Sequence, residues 1–86
     1  LAVVDTVSVG DGPVGIAVDP MGSAVYVGNS LDNTVSVIST IDNVVTDTVA
    51  VGVRPHGIAV SPSGDHAYVA NFGSASLSVL STATRT

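Results

Sequence analysis

Residues 12–18 read GPVGIAV, and residues 54–60 read RPHGIAV. The same shift of 42 residues relates three further pairs of segments: YVGN at 26–29 and YVAN at 68–71, SVIST at 36–40 and SVLST at 78–82, DTV at 5–7 and DTV at 47–49. No gap interrupts this pattern. A fixed internal period is the sequence signature of a repeat architecture.

The repeat divides the chain into repeat 1 (1–42) and repeat 2 (43–84), which leaves no room for another domain. A period of about 40–45 residues with four short strands is typical of one blade of a β-propeller. We therefore predict an all-β chain made of two four-stranded antiparallel propeller blades, a partial propeller rather than a full one. The predicted strands lie near 2–9, 15–19, 24–29, 34–39, 44–51, 57–61, 66–71 and 76–81.

Local residue chemistry agrees with the predicted strands. The segments DPMG at 19–22 and SPSG at 61–64 have Pro to preset φ and Gly to adopt positive φ, which predicts tight turns. Small residues crowd the strand that follows each GP or RP pair, namely Gly15 and Ala17, then Gly57 and Ala59. We expect this strand to lie nearest the propeller axis, where neighbouring sheets converge.

The repeated segments PxGIAV, YVxN and SVxST resemble the YVTN-type β-propeller repeat family, whose members include surface-layer and cell-surface proteins of prokaryotes. The name-giving signature corresponds to Tyr68-Val69-Ala70-Asn71 and, with Gly at the third place, to Tyr26-Val27-Gly28-Asn29. The resemblance covers nearly the whole chain and implies a propeller fold with an extracellular or cell-surface location. Related propellers include structural, binding and lactonase-like proteins, so it implies no single function.

The phase of the repeat predicts unfinished edges. Residues 2–9 correspond to an outer strand, and the last three strands lack a fourth partner. Since unpaired edges pair readily with another chain, we expect copies of this chain to join head to tail into a ring of six or eight blades. The alternative is that missing blades of a longer parent chain supply these contacts, because the chain opens Leu1-Ala2-Val3 rather than with Met. The predicted assembly residues are Val3, Val7, Val9, Leu77 and Val79.

Composition excludes several classes of function. Seven acidic residues against two arginines give a net charge of −5, which opposes binding to nucleic acid. No apolar run approaches the roughly 18 residues of a membrane span, so we expect no membrane insertion. The chain has no Cys, and therefore no disulfide, thiolate metal site or Cys nucleophile.

The loops near 10–14, 29–34, 52–56 and 71–75 are predicted to meet on one side of the blades, where binding residues usually lie. Arg54 would bind a carboxylate, and Phe72 would offer an apolar or sugar-stacking contact. The alternative is structural: the asparagines cap the turns, and Phe72 fills a gap between blades. The candidate residues for a ligand or partner are Asp11, Asn29, Asp32, Arg54, His56, Asn71 and Phe72.

No catalytic, cofactor or metal motif stands out. The match to GxGxxG at 10–15 precedes a strand instead of the helix that a dinucleotide needs. His56 and His66 correspond to Val14 and Ala24 in the other repeat, so the repeat builds no metal site from them. We expect a noncatalytic module for self-assembly and protein or glycan binding. The alternative is part of a lactonase-like hydrolase whose channel site is completed by other copies or missing blades.

Overall fold

The computed structural model describes residues 2–82, which form seven β-strands and no helix. Thus these residues contain no helix long enough to cross a membrane. The strands are β1 (Pro13–Val18), β2 (Ala24–Asn29), β3 (Thr34–Ser39), β4 (Val44–Ala50), β5 (Pro55–Val60), β6 (His66–Asn71) and β7 (Ser76–Ser81).

The strands form two antiparallel sheets, which confirms the all-β prediction and the two-blade organisation. Blade 1 has the order β1-β2-β3-β4, and blade 2 has the order β5-β6-β7. The outer strand of blade 1, β4, comes from the second repeat, as the phase of the sequence predicts. Blade 2 therefore lacks a fourth strand within the described residues. The inner strands begin at Pro13 and Pro55, two residues earlier than predicted, because a register irregularity after each proline keeps that residue paired with the next strand.

Residues 2–9 do not form the predicted strand within this chain. A strand needs a hydrogen-bonding neighbour, and β7 pairs only with β6 among the described residues. Val7 and Val9 are nevertheless half-buried, whereas Val3 and Val4 are 83% and 96% exposed. The segment thus stays next to its own blade without becoming part of a sheet.

The two predicted tight turns connect the first two strands of each blade. Gly22 N–H donates to the carbonyl of Asp19 at 2.9 Å, and Gly64 N–H donates to the carbonyl of Ser61 at 2.8 Å. Both glycines have positive φ, at 71° and 80°. Residues other than glycine rarely adopt this conformation, which explains why glycine recurs in both repeats.

The hydrophobic core lies between the two blades. One face of blade 1, the covered face, buries Tyr26, Val35 and Val37 to 2%, 0% and 1% exposure. It packs against the side of blade 2 that carries Ala67, Val69 and Leu80, with Ile58 and Val60 at its margin. Strand register places Ile58 opposite Val69 and Val60 opposite Ala67, so these residues share one face of blade 2.

The inner strands β1 and β5 lie against each other, as expected for strands near a propeller axis. The carbonyl of His56 approaches Gly15 so closely that a Cβ at position 15 would overlap it. Glycine at position 15 is therefore a steric requirement of the junction between blades.

Candidate functional site: the loop face and the open face of blade 2

Each blade joins its leading loop to the loop between its second and third strands, which gathers the loop face as the sequence predicts. In blade 1, Ser30 N–H donates to Gly12 O at 2.8 Å. In blade 2, Phe72 N–H donates to Arg54 O at 2.9 Å. These bonds relate equivalent positions of the two repeats. The loop face consists of residues 10–12, 29–33, 52–54 and 71–75.

A buried asparagine at the end of the second strand fastens these loops. Asn29 is fully buried, and its Oδ1 accepts a hydrogen bond from Gly10 N–H at 3.1 Å. Its Nδ2 donates to Thr34 Oγ1 at 3.1 Å and to Ser36 Oγ at 2.9 Å. This side chain supports the loop from inside the blade and offers no polar surface to a ligand.

Asn71 occupies the same position in blade 2 and is 2% exposed. Its Nδ2 donates to Ser76 Oγ at 3.3 Å and to Ser78 Oγ at 2.8 Å. Its Oδ1 has no hydrogen-bond partner among the described residues, although Gly52 lies against it as Gly10 lies against Asn29. The fastening of blade 2 is thus one hydrogen bond weaker than that of blade 1.

The acidic candidates of the loop face lie together in blade 1. Asp11 N–H donates to Asp32 Oδ2 at 2.8 Å, and both residues are exposed. In blade 2 the corresponding bond joins Val53 N–H to Ser74 Oγ at 3.2 Å. Asp32 therefore has a defined structural contact, while the Asp11 carboxylate is available to solvent.

Arg54 lies where the two blades meet. Its φ is 54°, in the left-handed region that glycine occupies at the equivalent position Gly12 (φ 63°). Its backbone N–H donates to Asn33 Oδ1 of blade 1 at 2.9 Å. This bond crosses the junction of the blades and requires the side chain of Asn33, a residue of the loop near 29–34 that the sequence places on the loop face.

His56, at the start of β5, forms an aromatic pair with Phe72 of the loop face. Their ring centroids are 6.4 Å apart, and the ring planes are tilted by 48°. Phe72 is 76% exposed, so it does not fill a gap between the two blades of this chain. Arg54, His56 and Phe72 thus share one edge of blade 2 with an exposed aromatic surface and one cationic side chain.

His66 lies apart from this group, on the face of blade 2 turned away from blade 1, and its ring centroid is 6.4 Å from that of Tyr68. Within residues 2–82, no group of three or more His, Cys, Asp or Glu side chains is arranged to hold a metal ion.

The open face of blade 2 is the uncovered counterpart of the covered face of blade 1. Tyr68, Leu77 and Val79 correspond to Tyr26, Val35 and Val37. Their exposed fractions are 38%, 59% and 51%, against 2%, 0% and 1%. Two of the predicted assembly residues, Leu77 and Val79, therefore lie side by side on an unfilled apolar surface.

The opposite side of the chain has a smaller exposed apolar surface, because Val27 and Ile38 on that side are only 8% and 9% exposed. Ile16 and Val18 are 68% and 56% exposed, while their counterparts Ile58 and Val60 pack against the core between the blades. The front face of blade 1, defined by Ile16, Val18, Val25, Val27 and Ile38, thus repeats the side of blade 2 that covers blade 1.

Comparison with solved structures gives three informative likenesses. Hydrazine synthase of Kuenenia stuttgartiensis superposes with a TM-score of 0.86 and 32% identity over 93% of this chain and 23% of that chain. Apo AztD of Citrobacter koseri gives a TM-score of 0.80 and 21% identity over 93% of this chain and 23% of that chain. A functionally unknown protein from Desulfotomaculum acetoxidans gives 0.67 and 26% identity over 83% of this chain and 26% of that chain.

The first two of these structures are β-propeller proteins. No family model matches the chain, and no curated protein sequence matches it. The chain spans about a quarter of the length of the solved structures that it resembles. The resemblance to the YVTN-type repeat family therefore stays a prediction. The fold is shown: the chain is similar over nearly its whole length to part of a β-propeller.

Proposed function

We propose that this chain is a noncatalytic propeller module that assembles with further copies of itself and presents its loop face to a protein or glycan. The observation that carries the proposal is the difference in burial between equivalent residues. Val35 and Val37 are buried by blade 2, whereas Leu77 and Val79 are more than half exposed. Exposed contiguous apolar surface is typical of an interaction site.

The free edge of blade 2 supports the same assembly. In blade 1, β3 pairs with β4 in a register that sets Val35 opposite Val49 and Val37 opposite Asp47. A shift of 42 residues transfers this register to β7 and to residues 2–9 of another copy. Leu77 would face Val7, Val79 would face Asp5, and Leu80 would face Val3. Val7, Asp5 and Val3 are identical to their counterparts in β4, so the second copy offers nearly the same strand.

This arrangement is head to tail, so its rotation closes a ring when the blades complete one turn. Propellers close with about four to eight blades. Three or four copies of a two-blade chain would give six or eight blades and never seven. The alternative to self-assembly is that further blades of a longer chain cover the same surfaces.

The loop face supports ligand binding through exposed groups at the ends of the strands of blade 2. Phe72 offers an aromatic ring, Arg54 a guanidinium, and His56 an imidazole within the same edge of blade 2. Aromatic rings with a nearby polar group suit sugars and amphipathic protein surfaces. An extracellular or cell-surface location belongs to this proposal and rests on the resemblance to the YVTN-type family and on the lack of thiols.

Solution mass tests the assembly. We expect light scattering at micromolar concentration to give three or four times the 8.5 kDa chain mass. Leu77→Asp places a charge on the open face and should reduce the mass to that of the monomer. Ile41→Asp is the matched control, because Ile41 is 90% exposed in a loop away from that face. A wild-type chain that stays at 8.5 kDa would contradict self-assembly.

Binding at the loop face is tested separately with a glycan array and Phe72→Ala. The expected result is retention of a glycan by the wild-type chain and its loss in the variant. Met21→Ala is the control, since Met21 is 90% exposed in the turn between β1 and β2, outside the loop face. Equal glycan retention by Phe72→Ala and the wild-type chain would show that Phe72 takes no part.

A further inference from the structure

An open concavity of about 840 Å³ lies on blade 2 where the loop face meets the open face. It is mainly apolar in character, with an aromatic rim. Its walls include His56, Gly57, Ala70, Phe72, Ala75 and Leu77.

The same positions of blade 1 show what such a concavity receives. There, Pro55 of blade 2 is fully buried against Gly28, the counterpart of Ala70. A Cβ at position 28 would lie 3.6 Å from Pro55 Cβ and 3.5 Å from Pro55 O. The neighbouring Arg54 N–H donates to Asn33 Oδ1 at 2.9 Å. Within the chain, the socket on blade 1 is thus filled by the Arg54-Pro55 segment of the next blade.

We infer that the concavity on blade 2 is a socket for Pro13 of a second copy of this chain. This inference rests on the proposed self-assembly and specifies which residues meet. Pro13 corresponds to Pro55 at the 42-residue shift, but it is exposed whereas Pro55 is buried. Its neighbours Val14 and Ile16 are 51% and 68% exposed, so the segment that would enter the socket is free on the surface.

The socket on blade 2 differs in sequence from the socket on blade 1, but it still accommodates this segment. Ala70 adds a methyl group where Gly28 has none, and the 3.5–3.6 Å spacing at Gly28 is ordinary van der Waals contact. The methyl group therefore fits beside the incoming proline. Ala75 replaces Asn33 and has no oxygen to accept the backbone N–H of Gly12 in the incoming copy. The junction between copies thus lacks one hydrogen bond that the junction within the chain has.

Gly57 gives an independent argument for an incoming backbone. Its counterpart Gly15 has no room for a Cβ because the His56 carbonyl lies against it. At Gly57, nothing among the described residues lies within 4 Å of a Cβ position, and φ is not in the left-handed region. Neither the fold of this chain nor its backbone conformation requires glycine there. The Val14 carbonyl of the second copy would take the place that the His56 carbonyl takes at Gly15.

Disulfide trapping tests the socket directly, since the chain has no Cys. The Cβ–Cβ separation of 3.6 Å at Gly28 and Pro55 falls within the range of a disulfide. Gly28→Cys with Pro55→Cys in one chain is therefore the positive control for bond formation. The test mixes a Pro13→Cys chain with an Ala70→Cys chain in a glutathione redox buffer and measures covalent dimer on a nonreducing gel. Ile41→Cys mixed with Ala70→Cys measures random collision.

The expected result is several-fold more covalent dimer from the Pro13→Cys and Ala70→Cys pair than from the collision pair, with release by reductant. Equal yields from the two pairs in a sample whose mass is three or four chains would overturn the socket and leave self-assembly standing. Equal yields in a monomeric sample would overturn both. A saccharide that protects the Ala70→Cys thiol without any cross-link would show that the concavity receives a ligand instead, which also overturns the inference.

Discussion

Val37 and Val79 occupy the same position in the two repeats, yet Val37 is 1% exposed and Val79 is 51% exposed. The difference comes from their surroundings: blade 2 covers Val37, and nothing in the described part of the chain covers Val79. Each residue therefore lies at a different junction. Val37 belongs to the junction within a chain, and Val79 belongs to the surface that we propose for the junction between copies.

This relationship predicts that a Val→Ala substitution affects a different property at each of the two positions. Val37→Ala should lower the free energy of unfolding by about 2 kcal/mol, because it removes buried apolar area and leaves space behind. Val79→Ala should change the unfolding of the dissociated chain little, but it should weaken association between copies. Urea denaturation at low protein concentration measures the first effect, and sedimentation equilibrium measures the second. An equal loss of chain stability in both variants would mean that Val79 is already covered within the chain.

Arg54 gives a prediction about the backbone. A non-glycine residue in the left-handed region is less stable than glycine, and Gly12 shows that the repeat permits glycine there. Arg54→Gly should therefore raise the free energy of unfolding by about 1 kcal/mol. Arg54→Ala is the control, since it removes the charge and keeps the unfavourable φ. Urea midpoints measure both, and a gain in Arg54→Ala equal to that in Arg54→Gly would assign the effect to the side chain.

The asparagines that fasten the loops should contribute unequally. Asn29→Ala removes the acceptor of Gly10 N–H and the donor to two hydroxyl groups. We expect it to lower the free energy of unfolding by about 2–3 kcal/mol, because buried groups lose their partners. Asn71→Ala removes two bonds instead of three and should have the smaller effect.

Amide hydrogen exchange separates local from global effects of these two substitutions. Gly10 N–H should lose protection in Asn29→Ala and keep it in Asn71→Ala. If Gly10 exchanged equally fast in the wild-type chain and in Asn29→Ala, the hydrogen bond from Gly10 would not hold the loop in solution.

The strand pattern could be predicted from the sequence because each local signal agreed with the period. Alternating apolar residues, paired prolines and turn glycines set the strands of both repeats to within about two residues. Residues 2–9 were the exception. Their sequence has the same pattern as β4, but a strand forms only when an edge is available, and none of the strands among residues 2–82 pairs with them. Local pattern predicts the capacity for a strand and not the presence of its partner.

The candidate site was predictable in place but not in detail. Loop positions located the exposed Phe72 and Arg54, because these residues depart from the repeat. A structural role for Asn29 and Asn71 was suggested by their recurrence, since side chains that hold a repeated fold recur with it. The bond from Arg54 N–H to Asn33 Oδ1 gave no signal, as Ala75 replaces Asn33 in the second repeat. The concavity depends on how the side chains of β5, β6 and β7 and of the loop between β6 and β7 are arranged in three dimensions, which the one-dimensional pattern does not contain.

The hydrogen bonds of Asp19 predict how the free energy of unfolding changes as the pH falls. Slight burial acts to raise the pKa of this carboxyl, but hydrogen bonds from the Ser23 hydroxyl and from backbone N–H groups outweigh it and hold the pKa below its usual value. Ser23 N–H donates to Oδ1 at 2.8 Å, and Ser23 Oγ donates to Oδ2 at 2.7 Å. Because the folded chain favours the ionised form, Asp19 stabilises the fold above the pKa of the unfolded chain. That contribution is lost as the pH falls through the lower pKa of the folded chain.

Asp19→Asn isolates this effect. The variant should unfold at lower urea concentration than the wild-type chain between pH 5 and 7, a range above the unfolded pKa of about 4, and the difference should shrink as the pH falls below it. Asp42→Asn controls for the loss of one negative charge from a chain with a net charge of −5, since Asp42 is exposed in the loop between β3 and β4. A difference between wild type and Asp19→Asn that stays constant down to pH 2 would show that the Ser23 bonds do not depend on the charge of Asp19.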